Sequence, residues 1–412
     1  MKDISHPMLS VEEARERVLS FFHVLEPERV PLLEALGRVL ADDVLADVDI
    51  PPHANTAMDG YAVRADDTRG ASAGNPRRLQ VIADLAAGYV SETEVVPGTA
   101  IRIMTGAPIP KGADAVVRFE DTTQQGDQVL IQVEVPVGEN VRLAGEDLRR
   151  GTLAVGRGKR LRPQEIGMLA TVGCKDVPVS RRPRVAILAT GDEVLDIDAP
   201  LTPGKIRNSN SFSNAAQVLQ CGGIPVMLGI ARDQEADLSR KIRAGLQQNV
   251  DLFLTSGGVS VGDFDVVKQV LAAEGDITFW RVRMKPGKPF AFGQIGGVPF
   301  LGMPGNPVST MISFELFGRP ALLKMQGAPG FERPLLSAAL VDGITDKDDR
   351  RHYVRVRVEP DGKGGHLAHL TGEQGSGILS SMVQANGVAI VAEDVRSVPA
   401  GTPVPVMMLD WE

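Results

Sequence analysis

Pro183-Arg184-Val185-Ala186-Ile187-Leu188-Ala189-Thr190-Gly191-Asp192-Glu193, residues 183–193, is the stretch whose reading decides the fold. Residues 185–189 are apolar without alternation, which is the pattern of a strand buried on both faces. A polar turn, Thr190-Gly191-Asp192-Glu193, follows at once. Downstream the rhythm repeats. A helix is expected over 211–220, stopped by Gly222-Gly223, then a strand over 225–230 and a helix over 234–247. A strand over 252–255, a helix over 264–274 and a strand over 277–284 come next. Such alternation predicts a doubly wound parallel sheet. Gly296-Gly297 between Ile295 and Val298 marks a two-residue hairpin, and a helix over 308–325 closes the unit.

Outward from this centre the texture changes. Residues 10–25 read as an amphipathic helix, with Ser10 and Glu13 in capping-box spacing and Val11, Ala14, Val18, Phe22 and Leu25 on one face. A short helix over 31–36 ends at Gly37. Between 78 and 142 short β-rich runs (79–83, 100–104, 115–119, 129–135) alternate with Gly, Pro and Asp, as in a small all-β insert. Residues 163–172 return to helix, Pro in the first turn and Gly173 after the last. Beyond Gly327 the chain is β-like again, notably at 353–358 and 388–391. The fold class expected is therefore multidomain α/β and β.

Composition narrows the function. In 412 residues, Lys+Arg 44 against Asp+Glu 52 gives −8, so general nucleic-acid binding through a basic surface has little support. Two cysteines, Cys174 and Cys221, exclude a disulfide framework and a Cys-rich zinc site. The N-terminus lacks an apolar signal core, and the longest uncharged run, residues 289–314, is broken by Gly and Pro. A soluble, cytoplasmic protein is expected.

The chemistry collects where the strands end. Thr190, Gly191 and Glu193 follow the first strand and Asp233 the second; Ser256, Gly257 and Gly258, leading to Asp265, follow the third. Lys285 and Lys288 follow the fourth, and Pro304, Gly305 and Asn306 precede the last helix. Ligands of open parallel sheets bind outside the carboxyl ends of the strands. A lone Gly-Gly or Lys-Pro-Gly is an ordinary turn. Five such segments after consecutive strands suit a phosphorylated anion, held by N–H groups and lysines with carboxylates for a hard cation. Asp59 and Asp147 read on spacing alone as capping residues of turns.

Taken together, PPHANTAMDGYAV (51–63), RIMTGAPIPKGADAVV (102–117), NVRLAGED (140–147), ILATGDEV (187–194), TSGGVSVGDFD (255–265), MKPGKPFAFG (284–293), GMPGNPVS (302–309) and GSGILSSM (375–382) resemble the MoeA/gephyrin family of molybdopterin molybdotransferases over essentially the whole chain. The resemblance implies insertion of molybdate, the substrate, into adenylylated molybdopterin, with Mg²⁺-dependent release of AMP. It implies an elongated homodimer whose further partners are the adenylyltransferase and acceptor molybdoenzymes, with no membrane or nucleic acid. Its domains would be an N-terminal linker and dimerisation part (1–50 and 143–182), an inserted β-rich domain (51–142), a molybdopterin-binding parallel α/β domain (183–327) and a C-terminal barrel-like β domain (328–412). Asp59, Thr105, Arg142 and Asp147 would come from the partner subunit. Glu193, Asp233 and Asp265 would serve the nucleotide–metal end, with Glu193 and Asp265 as metal ligands. Thr190, Gly191, Ser256, Gly257, Gly258, Pro304, Gly305 and Asn306 would line the substrate. Lys285, Lys288, Ser309, Arg350 or Arg355, and Ser376 would hold the pterin phosphate or the incoming oxyanion. His53-Ala54 departs from the family's common Phe-Asp, and Thr56 from its frequent Ser. Two other readings are an adenylyltransferase making the nucleotide intermediate, expected as a lone domain, and a peptide-binding scaffold, which no sequence feature supports.

Overall fold

Arg184–Thr190 forms the expected buried strand and sits inside a seven-stranded sheet. The structure, a computed structural model, describes residues 8–258, 270, 273, 275–345 and 347–409. The expected helix over 264–274, with Asp265 near its start, lies outside the described residues except for Val270 and Ala273, which are helical.

Side-chain alternation splits the strand between two layers. Val185 and Ile187 face one core with Val218, Leu252, Leu254, Val308 and Phe317. Ala186 and Leu188 face the other with Leu238, Ile242 and Phe253. Helices Ser209–Gln220 and Glu235–Leu246 therefore pack on opposite faces, which is the double winding the sequence predicts.

Strand order departs from the expectation. Ile224–Ala231, Arg184–Thr190, Leu252–Ser256 and Val298–Met303 run parallel as neighbours. Gly275–Val282, expected as the fourth parallel strand, stands two places further out, antiparallel to Pro289–Ile295. The hairpin explains this. Gly296 (φ 55°) and Gly297 (φ 80°) take the left-handed pair of a tight primed turn, which folds Val298–Met303 back beside Pro289–Ile295. Its Phe300, Leu301 and Met303 are fully buried and take the inner place, whereas Gly275–Val282 alternates half-buried and exposed up to Phe279 and is buried at Trp280 and Val282.

Ser10 caps the first helix with the expected box, its Oγ accepting from the Glu13 N–H at 3.1 Å and Glu13 Oε2 accepting from the Ser10 N–H at 2.8 Å. The helix spans only Val11–Leu19, not 10–25. Ser20-Phe21-Phe22 hold poor helix formers, and Phe22 turns into the core instead. Met8–Leu9 pairs in parallel with Arg281–Val282 at the sheet edge, so this helix shares the central core. The helix expected over 31–36 is a 3₁₀ turn, Leu32–Ala35, because Pro31 belongs to the strand Pro27–Pro31 paired with Asp176–Ser180. Val44–Leu45 against Leu153–Val155, and helix Pro163–Thr171, complete this out-and-back segment.

The insert is a six-stranded sheet in the order Ala115–Arg118, Gly60–Val63, Thr99–Ile103, Arg77–Leu85, Gln128–Ile131, Thr122–Gln125. The C-terminal strands close into a barrel: Arg351–Pro360, His366–Leu370, Leu335–Leu340, Pro403–Met408 and Gly387–Val391, the last returning to the first. Met284–Lys285 leaves the central unit to pair with Arg351–His352. Among the described residues no helix is long and apolar enough to cross a membrane.

Candidate active site

A pocket of about 310 Å³ opens at the carboxyl edge of the parallel strands, lined by Thr190, Glu193, Asn208, Asn210, Ser256, Gly257, Gly305 and Asn306 among others. Two helices begin at its wall. Asn208 caps Ser209–Gln220 by accepting from the Ser211 N–H at 3.1 Å. Asn306 starts the helix at Pro307, which runs through a π turn, Phe314–Gly318, to Met325. Two helix N-termini bring their positive dipole ends to one cavity, an arrangement that favours anions. Asn210 ties the walls together, its Nδ2 donating to the Gly305 carbonyl at 2.7 Å.

Backbone chemistry makes the floor. Gly257 has φ +93°, and a Cβ there would lie 2.8 Å from the Thr190 carbonyl oxygen. Its N–H donates to the Met303 carbonyl at 3.2 Å, locking three strand ends together. Thr190 and Ser256 are buried beside it. Glu193 folds over Gly191, where a Cβ would come within 2.4 Å of the carboxylate. Asp233 is outside this wall. Its Oδ2 accepts from the Asp192 N–H at 3.3 Å, and its own N–H donates to Asp192 Oδ1 at 3.4 Å, coupling the first two strand-end loops.

A second pocket of about 410 Å³ lies between the central unit and the barrel, with Lys285, Pro286, Thr345, His352, Arg355 and Gly375 on its walls. Lys285 is exposed there, opposite His352 in the ladder. Burial pushes the His352 imidazole below its ordinary value, although Asp348 at 3.0 Å opposes that. Arg350 is committed to Asp348, and the guanidinium holds that carboxyl far below the usual range. Arg355 is buried and bonded to backbone carbonyls. Lys288 is half-buried, its carbonyl accepting from the Val282 N–H at 2.9 Å, and Ser309 is buried on the first turn of its helix. Ser376 stands in the chain between Gly375 of this pocket and Gly377 of the strand-end one: its Oγ accepts from Asn306 Nδ2 at 3.0 Å, its carbonyl from the Val308 N–H at 3.1 Å.

A third group sits at the end of the inserted domain. Asp59 Oδ1 accepts from both the N–H and the Oγ1–H of Thr105 at 2.7 Å, and these bonds, the backbone one first, lower its pKa. Arg142 pairs with Asn55 in a short ladder, and Asp147 is pinned by its N–H to the Ile50 carbonyl. Thus Asp59 and Thr105 are brought together, and Arg142 and Asp147 lie on neighbouring loops. Among the described residues no hydrogen bond or ion pair joins this group to the strand-end pocket.

Asn208, Ser209 and Asn210 also line the strand-end pocket, although they do not directly follow one of the long parallel strands in the sequence. The readable signal was Asn208 at helix-cap spacing. His352 and Thr345 were missed for want of any local motif.

Three family models match in order along the chain: the MoeA N-terminal region (domains I and II) over 9–173, a probable molybdopterin binding domain over 186–324, and the MoeA C-terminal region (domain IV) over 337–409. Molybdopterin molybdenumtransferase 2 of Mycobacterium tuberculosis is 39% identical over 97% of this chain and 99% of its own. The chain belongs to the MoeA family. Molybdopterin molybdenumtransferase of Bacillus subtilis, another member, is 37% identical over 98% of this chain and 95% of its own. The crystal structure of a MoeA protein from Pyrococcus horikoshii superposes with TM-score 0.85 at 34% identity, covering 98% of this chain and all of that one. Membership makes this MoeA chain a transferase of molybdenum cofactor biosynthesis.

Proposed function

We propose that this protein inserts molybdate into adenylylated molybdopterin and releases AMP. The observation that carries the reading is the strand-end pocket, where two helix starts, Thr190, Ser256 and a glycine-built floor converge, among the described residues without a nucleophile–base pair. Such a site binds and orients phosphate oxygens, and cleavage of a phosphoanhydride needs orientation and charge neutralisation more than a covalent intermediate. Thr190 and Ser256 offer hydroxyls, and the helix starts at Ser209 and Pro307 face the developing charge. Molybdate is a dianion bringing no need for Cys or His, because the accepting sulfurs belong to the pterin.

Mg²⁺ fits the residues present in a restricted way. Among the described residues no group of three His, Cys, Asp or Glu forms a cage. Mg²⁺ on a nucleotide commonly takes one or two carboxylates and fills the rest with phosphate and water. Glu193 at the pocket wall and Asp233 on the adjoining loop would hold it, with Asp265 as a further ligand, and it would neutralise phosphate charge. Lys285 and Lys288 at the same edge supply fixed positive charge for the pterin phosphate or the oxyanion. We assign the Asp59–Thr105–Arg142–Asp147 group to the neighbouring pocket of a cytoplasmic homodimer, a reading supported by the absence, among the described residues, of any hydrogen bond or ion pair from it to the pocket of its own chain.

The test is reconstitution of an apo-molybdoenzyme with purified protein, adenylylated molybdopterin, molybdate and Mg²⁺. AMP release together with restored activity is expected; neither appearing rejects the reading. ATP consumption with free molybdopterin would replace it with the adenylyltransferase. Mixing an Asp59→Ala subunit with a Gly257→Val subunit should restore activity in the heterodimer, and no rescue would reject the shared cleft.

A further inference from the structure

Residues 27–180 form an arm, made of the linker strands and the inserted sheet, which leaves the central unit through 24–26 and returns to it through 181–183. The two crossings lie side by side, because Pro27–Pro31 pairs with Asp176–Ser180 and sets Pro27 opposite Ser180. A ribbon of two strands is a natural hinge, since a few element-terminal residues can absorb a change of angle. Packing leaves the joint partly open. A crevice of about 170 Å³ sits there, with Leu25, Leu40, Gly158, Ser180 and Gly327 on its walls.

Arg181 spans this joint. Its N–H donates to the Glu26 carbonyl at 3.1 Å, and its Nε and Nη2 donate to the two Glu26 carboxylate oxygens at 2.6 and 3.4 Å. One crossing is thereby fastened to the other. The opposite edge of the guanidinium turns to the sheet: Nη1 and Nη2 donate to Asp251 Oδ2 and Oδ1, each at 2.8 Å. Asp251 directly precedes the central strand Leu252–Ser256, and its Oδ2 also accepts from the Arg184 N–H at 2.7 Å. Outgoing chain, returning chain and central sheet therefore meet on one planar cation.

Such a pair contributes little to stability, because Glu26 is two-thirds exposed. What it supplies is direction. A fork bonded along both edges orients each partner, whereas a lysine would offer only a point charge. Hydrogen bonds from Arg181 hold the Glu26 carboxyl below its ordinary range, so the joint is charged at neutral pH. The arm carries Asp59, Thr105, Arg142 and Asp147, and a small rotation at its base displaces its far end by much more.

Resting on the shared cleft proposed above, we infer that Arg181 is a positioning residue: it sets the angle at which the arm leaves the central unit, and so the place from which the Asp59 group meets a strand-end pocket. Arg181 touches no substrate. It acts through Asp59.

The experiment uses the full-length protein and two independent readouts. In the first, spin labels at Asp127→Cys in the inserted sheet and Leu219→Cys on the central helix, both exposed positions, report the distance between arm and central unit. Cys174 is replaced by Ser, and labelled subunits are diluted into unlabelled ones. Wild type should give one narrow distribution. Arg181→Gln and Glu26→Ala should each broaden or shift it, Arg181→Gln more. A broad wild-type distribution, or no change in either variant, overturns the clamp whatever the activity. Glu26→Ala alone decides if Arg181→Gln does not fold.

The second readout separates binding from placement. In Arg181→Gln the affinity of the strand-end pocket for AMP, measured by calorimetry, should stay within about twofold of wild type. The kcat of AMP release should fall by roughly 10- to 10²-fold, the scale of a misplacement of about 1 Å. Added to Asp59→Ala, the same change should cost less than about threefold, since residues acting through one group are not additive. Fully multiplicative losses, or an AMP affinity falling in step with kcat, reject action through Asp59. Wild-type protein releasing no AMP would reject the proposed function and leave the distances to decide the clamp.

Discussion

The strand-end pocket and the Asp59 group are built by opposite means. The first is backbone: left-handed glycines, two helix starts and carbonyls tied by short bonds, all set on buried strands. The second is side chain on loop: an exposed carboxylate fixed by Thr105, an arginine on a two-residue ladder, an aspartate pinned by its own N–H. Rigid strands can hold a geometry without help, whereas loop carboxylates need another surface to define what they face. The difference says which half should tolerate change in stability and which in activity.

The largest effect that sharpens the contrast is expected at Gly257. Gly257→Val would drive a side chain into the Thr190 carbonyl at an unfavourable φ, costing about 1–3 kcal/mol in strain alone. AMP release should fall below detection and the thermal midpoint should drop, as calorimetry and a coupled assay would show. Asp59→Ala should separate the two quantities: turnover falls by about 10²-fold or more through lost positioning, while the midpoint moves little because the side chain is exposed. A parallel fall in midpoint would make the two regions alike and break the contrast. Asn210→Ala removes the 2.7 Å tie to the Gly305 carbonyl and should raise KM several-fold while costing about 1 kcal/mol in stability.

The smallest effect lies far from both regions. Arg162 holds the Glu165 carboxyl down to about 2, from an ordinary value near 4.5, at the start of helix Pro163–Thr171. A depressed carboxyl stabilises the fold above its unfolded pKa, and that contribution disappears as pH falls through the folded value. Glu165→Gln should therefore cost about 1 kcal/mol at pH 7, with the difference shrinking between pH 4.5 and about 2 in denaturant titrations. A gap that persists at the acid end would assign it to packing instead.

The same contrast explains what was legible. Arg184–Thr190 and its partners announce themselves because burial on both faces leaves only apolar residues, and a turn at each end follows from chain geometry. The order of the outer strands does not, since Gly275–Val282 and Val298–Met303 are similarly β-prone and only the Gly296-Gly297 reversal decides which lies inside. Glu193, Ser256 and Asn306 could be found by position, yet Asn208 and Asn210 arrive from a crossover and carry no strand-end mark. Arg355 is the harder case. In sequence it is one of several arginines near Tyr353, and that it is buried against carbonyls depends on barrel closure, which no local pattern encodes.

The pairing of Met8–Leu9 with Arg281–Val282 has a consequence for synthesis. A ribosome adding about 5–20 residues per second needs roughly 14 to 55 seconds to make the stretch between those partners. Through that interval the strand Met8–Leu9 is without its partner, and the six-stranded sheet between them in the chain can form ahead of it. Completion of the central layer is thus an event of late translation.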